Sequence, residues 1–293
     1  MSFLSYLING ISLGSIYAII ALGYTMVYGI AKMLNFAHGD IIMVGGFAAF
    51  TVVSTMGMNP VLGILAAVAV CTVLGVTIER VAYKPLRGAS PLAVLITAIG
   101  ISYLLQNVAL LIFGSNSKQF ESVVKIPALK LADGQLSISG VTMVTIASCI
   151  VIMAVLTTFI NKTRMGQAML AVSEDKGAAT LMGIDVNRTI AVTFAIGSAL
   201  AAIAGVLLCS AYPSLTPYTG SMPGIKAFVA AVFGGIGSIP GAMIGGIILG
   251  IIENLSKAYI SSELSDAIVF SVLIVVLLVR PTGILGKTIH EKV

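Results

Sequence analysis

Nine stretches of mostly apolar sequence, at 4–30, 39–56, 60–79, 91–113, 140–160, 189–211, 224–236, 240–257 and 264–279, fill most of this chain of 293 residues. Most approach or exceed the ~20 residues an α-helix needs to cross a hydrocarbon layer. They lack the period-two alternation of barrel strands and are rich in Ala, Leu and Gly, so helices are expected and sheets are not. Charge agrees. Charged residues are 9% of the chain, against roughly 25% in an average soluble domain. With 16 Lys and Arg and 11 Asp and Glu, a globule of this size could not cover its surface, so most of the exterior faces something other than water. The expected class is an all-α polytopic integral membrane protein. It is one transmembrane domain over 1–293, with eight to ten membrane segments including broken helices. Disordered, fibrous, disulfide-scaffold and nucleic-acid-binding classes are excluded.

The opening segment has no basic n-region and no small-residue cleavage site, so it is expected to be a retained first span. Cys71, Cys149 and Cys209 lie far apart in apolar runs without metal-ligand spacing, which fits packing residues.

Short loops rich in Lys and Arg stay in the cytoplasm. Arg80, Lys84 and Arg87 form one such loop. Lys162, Arg164, Lys176 and Arg188 lie in a second, 161–188, and Arg280, Lys287 and Lys292 in the C-terminal tail. Alternation of spans puts all three on one side, with a cytoplasmic C-terminus and with 114–139 as an outer, periplasmic loop. If all nine runs cross, the N-terminus is outside.

Two interruptions complicate that count. One is Ala31–Asp40, the other Phe233–Ala242, and each is followed by an apolar stretch with a Gly pair, Gly45-Gly46 and Gly245-Gly246. Broken segments at matching places in two halves point to an inverted repeat around a central pathway. Asn35, His38 and Asp40 at the first break and Gly234, Gly235 and Gly237 at the second are the candidate pathway residues. Two readings stay open for the first set: polar groups lining a wet cavity, or Asp40 capping the next helix with His38 at a water-exposed turn. Lys226 and Glu253 are ionisable groups at membrane depth, where charge is costly. Lys226 is expected to snorkel to the outer interface, and Glu253 to pair with a basic residue of a partner chain.

The 161–188 loop is too long for a simple connection and too patterned for a tether. Ser173, Glu174 and Asp175 make a helix start, with a hydroxyl for an orphan amide and acids at the positive end. Ala178, Ala179 and Leu181 follow at helical neighbour spacing, and Gly183 supplies a left-handed stop. The pattern alone fits either a contact surface for a partner or a membrane-surface helix without one.

Within that loop AVSEDKGAATLMGIDVNR resembles the cytoplasmic coupling loop of the branched-chain amino acid permease family of ABC importers. YGIAKMLNFAHGDIIMVGG, AFVAAVFGGIGSIPGAMIGG and RPTGILGK are similar to three further stretches of that family, in the same order, and the match is nearest to LivH-type subunits. The resemblance implies an ABC importer permease fold in the bacterial inner membrane. It implies a heterodimer with a second, LivM-like permease, two ABC ATPase subunits and a periplasmic amino-acid-binding protein delivering leucine, isoleucine or valine. It also implies that this chain is not an enzyme: it binds no cofactor, and ATP and Mg are used by the ATPases. Ser173, Glu174, Asp175, Ala178, Ala179, Leu181 and Gly183 would then be the ATPase-coupling contact. The Walker-like fragment Gly286-Lys287-Thr288 is a decoy, because Pro281 stands where the motif needs its first Gly. The alternatives are an ABC permease for urea or short amides, an ion-coupled amino-acid carrier and a passive channel for a small neutral solute.

Overall fold

The computed structural model describes residues 2–131 and 136–286. Asp133, Gly134, Lys287, Thr288 and Lys292 therefore lie outside the described residues. Eleven α-helices follow one another: α1 (Ser2–Ala31), α2 (His38–Phe50), α3 (Pro60–Ile78), α4 (Pro91–Phe113), α5 (Gly140–Lys162), α6 (Arg164–Glu174), α7 (Lys176–Leu181), α8 (Val186–Ala211), α9 (Ser221–Gly234), α10 (Ile239–Tyr259) and α11 (Ser265–Val279). α2 runs on through a wide π turn at Thr51–Thr55, and α3 through another at Glu79–Tyr83. Seven helical segments are long and apolar enough to span a membrane, and α9 and α11 are shorter apolar helices.

Most of these boundaries carry a local signal. Asn59, Ser90, Ser139 and Ser238 each accept the amide two or three residues on, and a proline opens the helix after three of them. Such caps satisfy orphan N–H groups that lipid cannot solvate. The 114–139 loop and the segment after α8 add two short antiparallel ribbons that the all-helical reading omits. β1 (Lys118–Gln119) pairs with β4 (Ser214–Leu215), and β2 (Leu129–Leu131) with β3 (Leu136–Ile138). They are loop structure and do not span.

α1 and α10 are the most closely packed pair, with α8, α9 and α5 gathered round α1, while α2 packs on α8 and α3. Lipid supplies no hydrophobic drive between helices, so association rests on close van der Waals approach at small residues. Glycines provide it here. A Cβ on Gly14 would stand 2.7 Å from the Ile247 Cα, and one on Gly246 would meet the Ala18 backbone at 2.5 Å. Leu111 (87% exposed), Leu278 (80%) and Val279 (76%) are among the large apolar side chains facing outward, as in a chain whose solvent is hydrocarbon.

Gly14→Val is expected to destabilise the folded chain in detergent by at least about 2 kcal/mol. Gly88→Val, at a site with nothing within 4 Å of a Cβ, should leave thermal unfolding almost unchanged.

Candidate functional site

The first break is made by Lys32 at φ 57, which ends α1 in the left-handed conformation without a glycine. The chain from there to Ala37 turns back into the bundle, and α2 begins at His38 deep inside it. A Cβ on Gly23 would stand 2.6 Å from His38 Nε2 and 3.2 Å from the Gly197 carbonyl, and Gly197 is near the middle of α8. α9 starts at the same level. A Cβ on Gly39 would meet the Gly220 carbonyl at 2.7 Å, and one on Gly224 the Gly39 Cα at 2.7 Å. Two half-helices thus point their N-termini at each other at mid-depth, α2 leading to one face and α9 to the other.

Ala37 and Gly220, the residues before them, make no side-chain cap. Both ends carry the positive pole of a helix dipole. Asp40 answers both. It lies in the first turn of α2, 2% exposed, and its Oδ1 accepts from Gln106 Nε2 of α4 at 2.9 Å. The same amide nitrogen lies 3.3 Å from Ser102 Oγ and 3.3 Å from Ser221 Oγ at the start of α9. Asp40, in the first turn of α2, is thus the acid of a buried network joining α2, α4 and α9.

His38 departs from the exposed-turn reading. It is 1% exposed, packs edge-on against Tyr24 at 4.6 Å, and its Nε2 has no hydrogen-bond partner. It borders a narrow cavity together with Tyr24, Asn35, Phe228 and Ile236. Asn35 is fixed from behind by the Tyr83 hydroxyl, which donates to its Oδ1 at 2.9 Å.

The second break reaches this cavity through Ile236, and a Cβ on Gly29 would lie 3.2 Å from the Gly237 Cα. Gly235 (φ 104) and Gly237 (φ 92) hold conformations that L side chains rarely adopt. Gly234 sits under a strap: Ile284 and Leu285 donate their amides to the Phe233 and Gly234 carbonyls, both at 3.0 Å. These bonds satisfy carbonyls that the end of α9 leaves orphaned. Among the candidate pathway residues, then, Asn35 and His38 share a cavity, Gly237 lies beside it, Asp40 faces a separate network, and Gly234 and Gly235 hold the strap.

Lys226 does not snorkel. It is 5% exposed, and its Nζ donates to Glu253 Oε1 at 2.8 Å and contacts Asp266 Oδ1 at 2.6 Å. Glu253 finds its partners in its own chain: Lys226, Lys257 at 2.6 Å and the Tyr17 hydroxyl at 2.8 Å. This buried cluster ties α1, α9, α10 and α11 together.

The end of the bundle that bears Lys32, Arg80, Lys84, Arg87, Lys162, Arg164, Lys176 and Arg188 carries α6 and α7. Thr163 caps α6, accepting from the Gly166 amide at 3.0 Å. The expected helix start at Ser173 is displaced: Ser173 lies in the last turn of α6, donating to the Leu170 carbonyl, and Asp175 caps α7 by accepting from Gly177 and Ala178 at 2.7 and 3.0 Å. A carboxylate competes better than a hydroxyl for two adjacent amides. Gly183 is at φ 80, the left-handed stop expected of it.

The proposed contact residues divide. Ala179 is 4% exposed and faces the bundle, as do Met169 and Val172 of α6. Glu174, Asp175, Ala178 and Gly183 are exposed, and Leu181 and Met182 stand out at 89% and 82% exposure. Lys176, which the sequence reading gave no role, donates from Nζ to the Ala31 carbonyl at 2.9 Å. Partial burial, then Arg87 and Lys32, lower its pKa below that of a free lysine. α7 is thereby fastened to the last residue of α1, directly before the first break.

Apolar helices around two opposed half-helices, with polar groups gathered at their junction, define a multi-pass membrane permease. Residues 6–277 match the family described as branched-chain amino acid transport system / permease component, and the chain belongs to that family. It is 47% identical to the high-affinity branched-chain amino acid transport system permease protein LivH of Salmonella typhimurium, over 99% of this chain and 98% of the relative. The corresponding protein BraD of Pseudomonas aeruginosa is 46% identical over the same shares. A probable branched-chain amino acid transport permease protein LivH of Methanocaldococcus jannaschii is 32% identical over 92% of this chain and 88% of its own length.

Glu253→Gln leaves the Lys226 ammonium with only half-exposed Asp266 as a partner, and should cost about 3 kcal/mol of stability. Adding Lys226→Met removes the stranded charge and should recover at least about 1 kcal/mol of that, read by unfolding in mixed micelles.

Proposed function

We propose that this chain is the membrane-spanning permease subunit of an ATP-driven, binding-protein-dependent importer of branched-chain amino acids, forming half of the translocation pathway. In this reading the basic end lies in the cytoplasm of a bacterial inner membrane, where short Lys/Arg-rich loops remain. A second, LivM-like permease completes the pathway, two ATPases sit beneath α6 and α7, and a periplasmic binding protein delivers leucine, isoleucine or valine from the opposite face. The family supports the cargo. The observation that carries the mechanism is α7: an apolar pair, Leu181 and Met182, exposed at the basic end, on a short helix whose other side is tied by Lys176 to the Ala31 carbonyl.

ATPase closure pressing on Leu181 and Met182 would move α7 as a unit, because Asp175 and Gly183 fix both its ends. The motion would pass through Lys176 to the end of α1, and from there to the segment that carries Asn35 and His38. Packed helices have discrete alternative arrangements, so a small push can switch the cavity between accesses. Asp40 with Gln106 and Ser221 offers polar steps at the level where the two half-helices meet. A carboxylate and amide acceptors suit the ammonium group of an amino acid more than an uncharged amide.

Affinity purification from native membranes should bring down a second permease and ATPases, and reconstituted complex should accumulate labelled leucine rather than labelled urea. Uphill accumulation by the lone subunit would sink the reading. Leu181→Asp is expected to lower ATP-dependent leucine uptake at least about tenfold, consistent with loss of ~1.4 kcal/mol or more of coupling, with the chain still inserted. Uptake equal to that of the unsubstituted complex would remove α7 from the coupling path.

A further inference from the structure

The function above leaves one feature of the basic end unused. α3 and α8 pack tightly where Gly75 faces the Ser198 side chain and the Phe194 carbonyl. Beyond that contact, toward the basic end, α3 widens into its π turn and a groove of about 580 Å³ opens between the two helices. Its floor is aliphatic: Val76 on one wall, Ala191, Val192 and Ala195 on the other. Its mouth is cationic, with Arg80 and Lys84 from the α3 side and Arg188 from α8.

Charge within the mouth is not balanced. Two carboxylates also line it, of which one is neutralised by an arginine and the other caps a helix and keeps its charge. Glu79, 1% exposed, is held by the Arg87 guanidinium, and Asp185 Oδ1 accepts the Arg188 backbone amide at 3.0 Å to cap α8. Arg80, Lys84 and Arg188 are exposed and form no ion pair among the described residues. Three cations against one carboxylate without a cationic partner, Asp185, thus leave the entrance of an apolar slot net positive. Val73 (67% exposed) and Val81 (72%) extend an exposed apolar surface along the same helix.

We infer that this groove binds one anionic phospholipid, its phosphate among Arg80, Lys84 and Arg188 and the start of one acyl chain along Val76, Val192 and Ala195. Basic pockets between membrane helices, at the level where helices leave the hydrocarbon, take acidic headgroups. A free phosphate would satisfy the cations but leave the aliphatic floor uncovered, so the floor selects the lipid. The inference stands on the groove alone and does not depend on the cargo.

Native mass spectrometry of the purified transporter, incubated with phosphatidylglycerol or phosphatidylcholine, tests it. The expected result is retained phosphatidylglycerol in preference to phosphatidylcholine, with millimolar inorganic phosphate unable to displace it. R80Q/K84Q/R188Q should cut retention on the order of a hundredfold, as three lost headgroup contacts would. Ala195→Trp, which fills the floor and leaves the charge intact, should cut it as well. Lys125→Gln with Lys130→Gln, at exposed sites in the 114–139 loop, should not. Equal retention of the two lipids, full retention by the triple variant or by Ala195→Trp, or displacement by phosphate would each overturn the assignment. So would a cross-link from position 188 to a second protein subunit in place of lipid.

Discussion

Every backbone amide and carbonyl inside a bilayer must find its partner within the protein. That constraint accounts for the placing of both breaks. A helix that begins at mid-depth exposes several orphan groups, and this chain begins two helices there. It can do so because the ends meet: α2 and α9 start within contact of each other, with Gly39, Gly220 and Gly224 letting the backbones touch. Asp40, Gln106 and Ser221 place acceptors and donors at the junction. At the other end of α9 the segment around Ile284 and Leu285 closes the Phe233 and Gly234 carbonyls. The breaks are covered by protein, and the covering groups are the polar residues from which a pathway can be built.

The same logic governs charge. Lys226 and Glu253 are buried in a membrane helix pair, and each is matched: two carboxylates around Lys226, two ammonium groups and a phenol around Glu253. Such a cluster is weak evidence for added stability, since desolvation offsets most of the attraction. Its effect is to fix register. It joins four helices at one level, so that half-helix α9 is anchored to α10 and α11 while its N-terminus meets α2. In the proposed mechanism this cluster is the fixed anchor and α7 the lever, with the first break, between Ala31 and His38, as the segment that responds.

The basic end therefore has two kinds of surface. One is the apolar tip of α7, Leu181 and Met182, suited to a protein partner. The other is the groove between α3 and α8, where unpaired cations sit above an aliphatic floor. Both lie on elements that the bundle holds from behind: Ala179 buries one side of α7, and Gly75 fixes α3 against α8.

Much of the architecture was legible from local pattern. The run 91–113 coincides with α4 because Ser90, Pro91 and Gly114 are strong start and stop signals. Gly183 read correctly as a left-handed stop for the same reason. Ser173 misled, since Ser173, Glu174 and Asp175 all look like caps, and which one closes a helix depends on where α6 ends. His38 stayed open between a cavity and an exposed turn, because a histidine beside Gly39 and Asp40 resembles a turn; only the packing of Tyr24 and Gly23 around it shows burial. Lys226 and Glu253, separated by 27 positions, carry no sequence signal of their pairing. Nor does the link from Lys176 to Ala31.

The sequence by itself determined that this chain lives in lipid, which segments are apolar helices, which loops are basic and which family it belongs to. Those follow from hydropathy, charge placement and contiguous motifs, all of them local quantities. Tertiary structure alone decided that the two half-helices share one level, that the buried charges pair within the chain, and that α7 is tied to the end of α1. Each of these depends on which helix faces which across the bundle. In a bilayer that is set by the fit of small residues between helices, a property of pairs of surfaces that no single stretch of sequence contains.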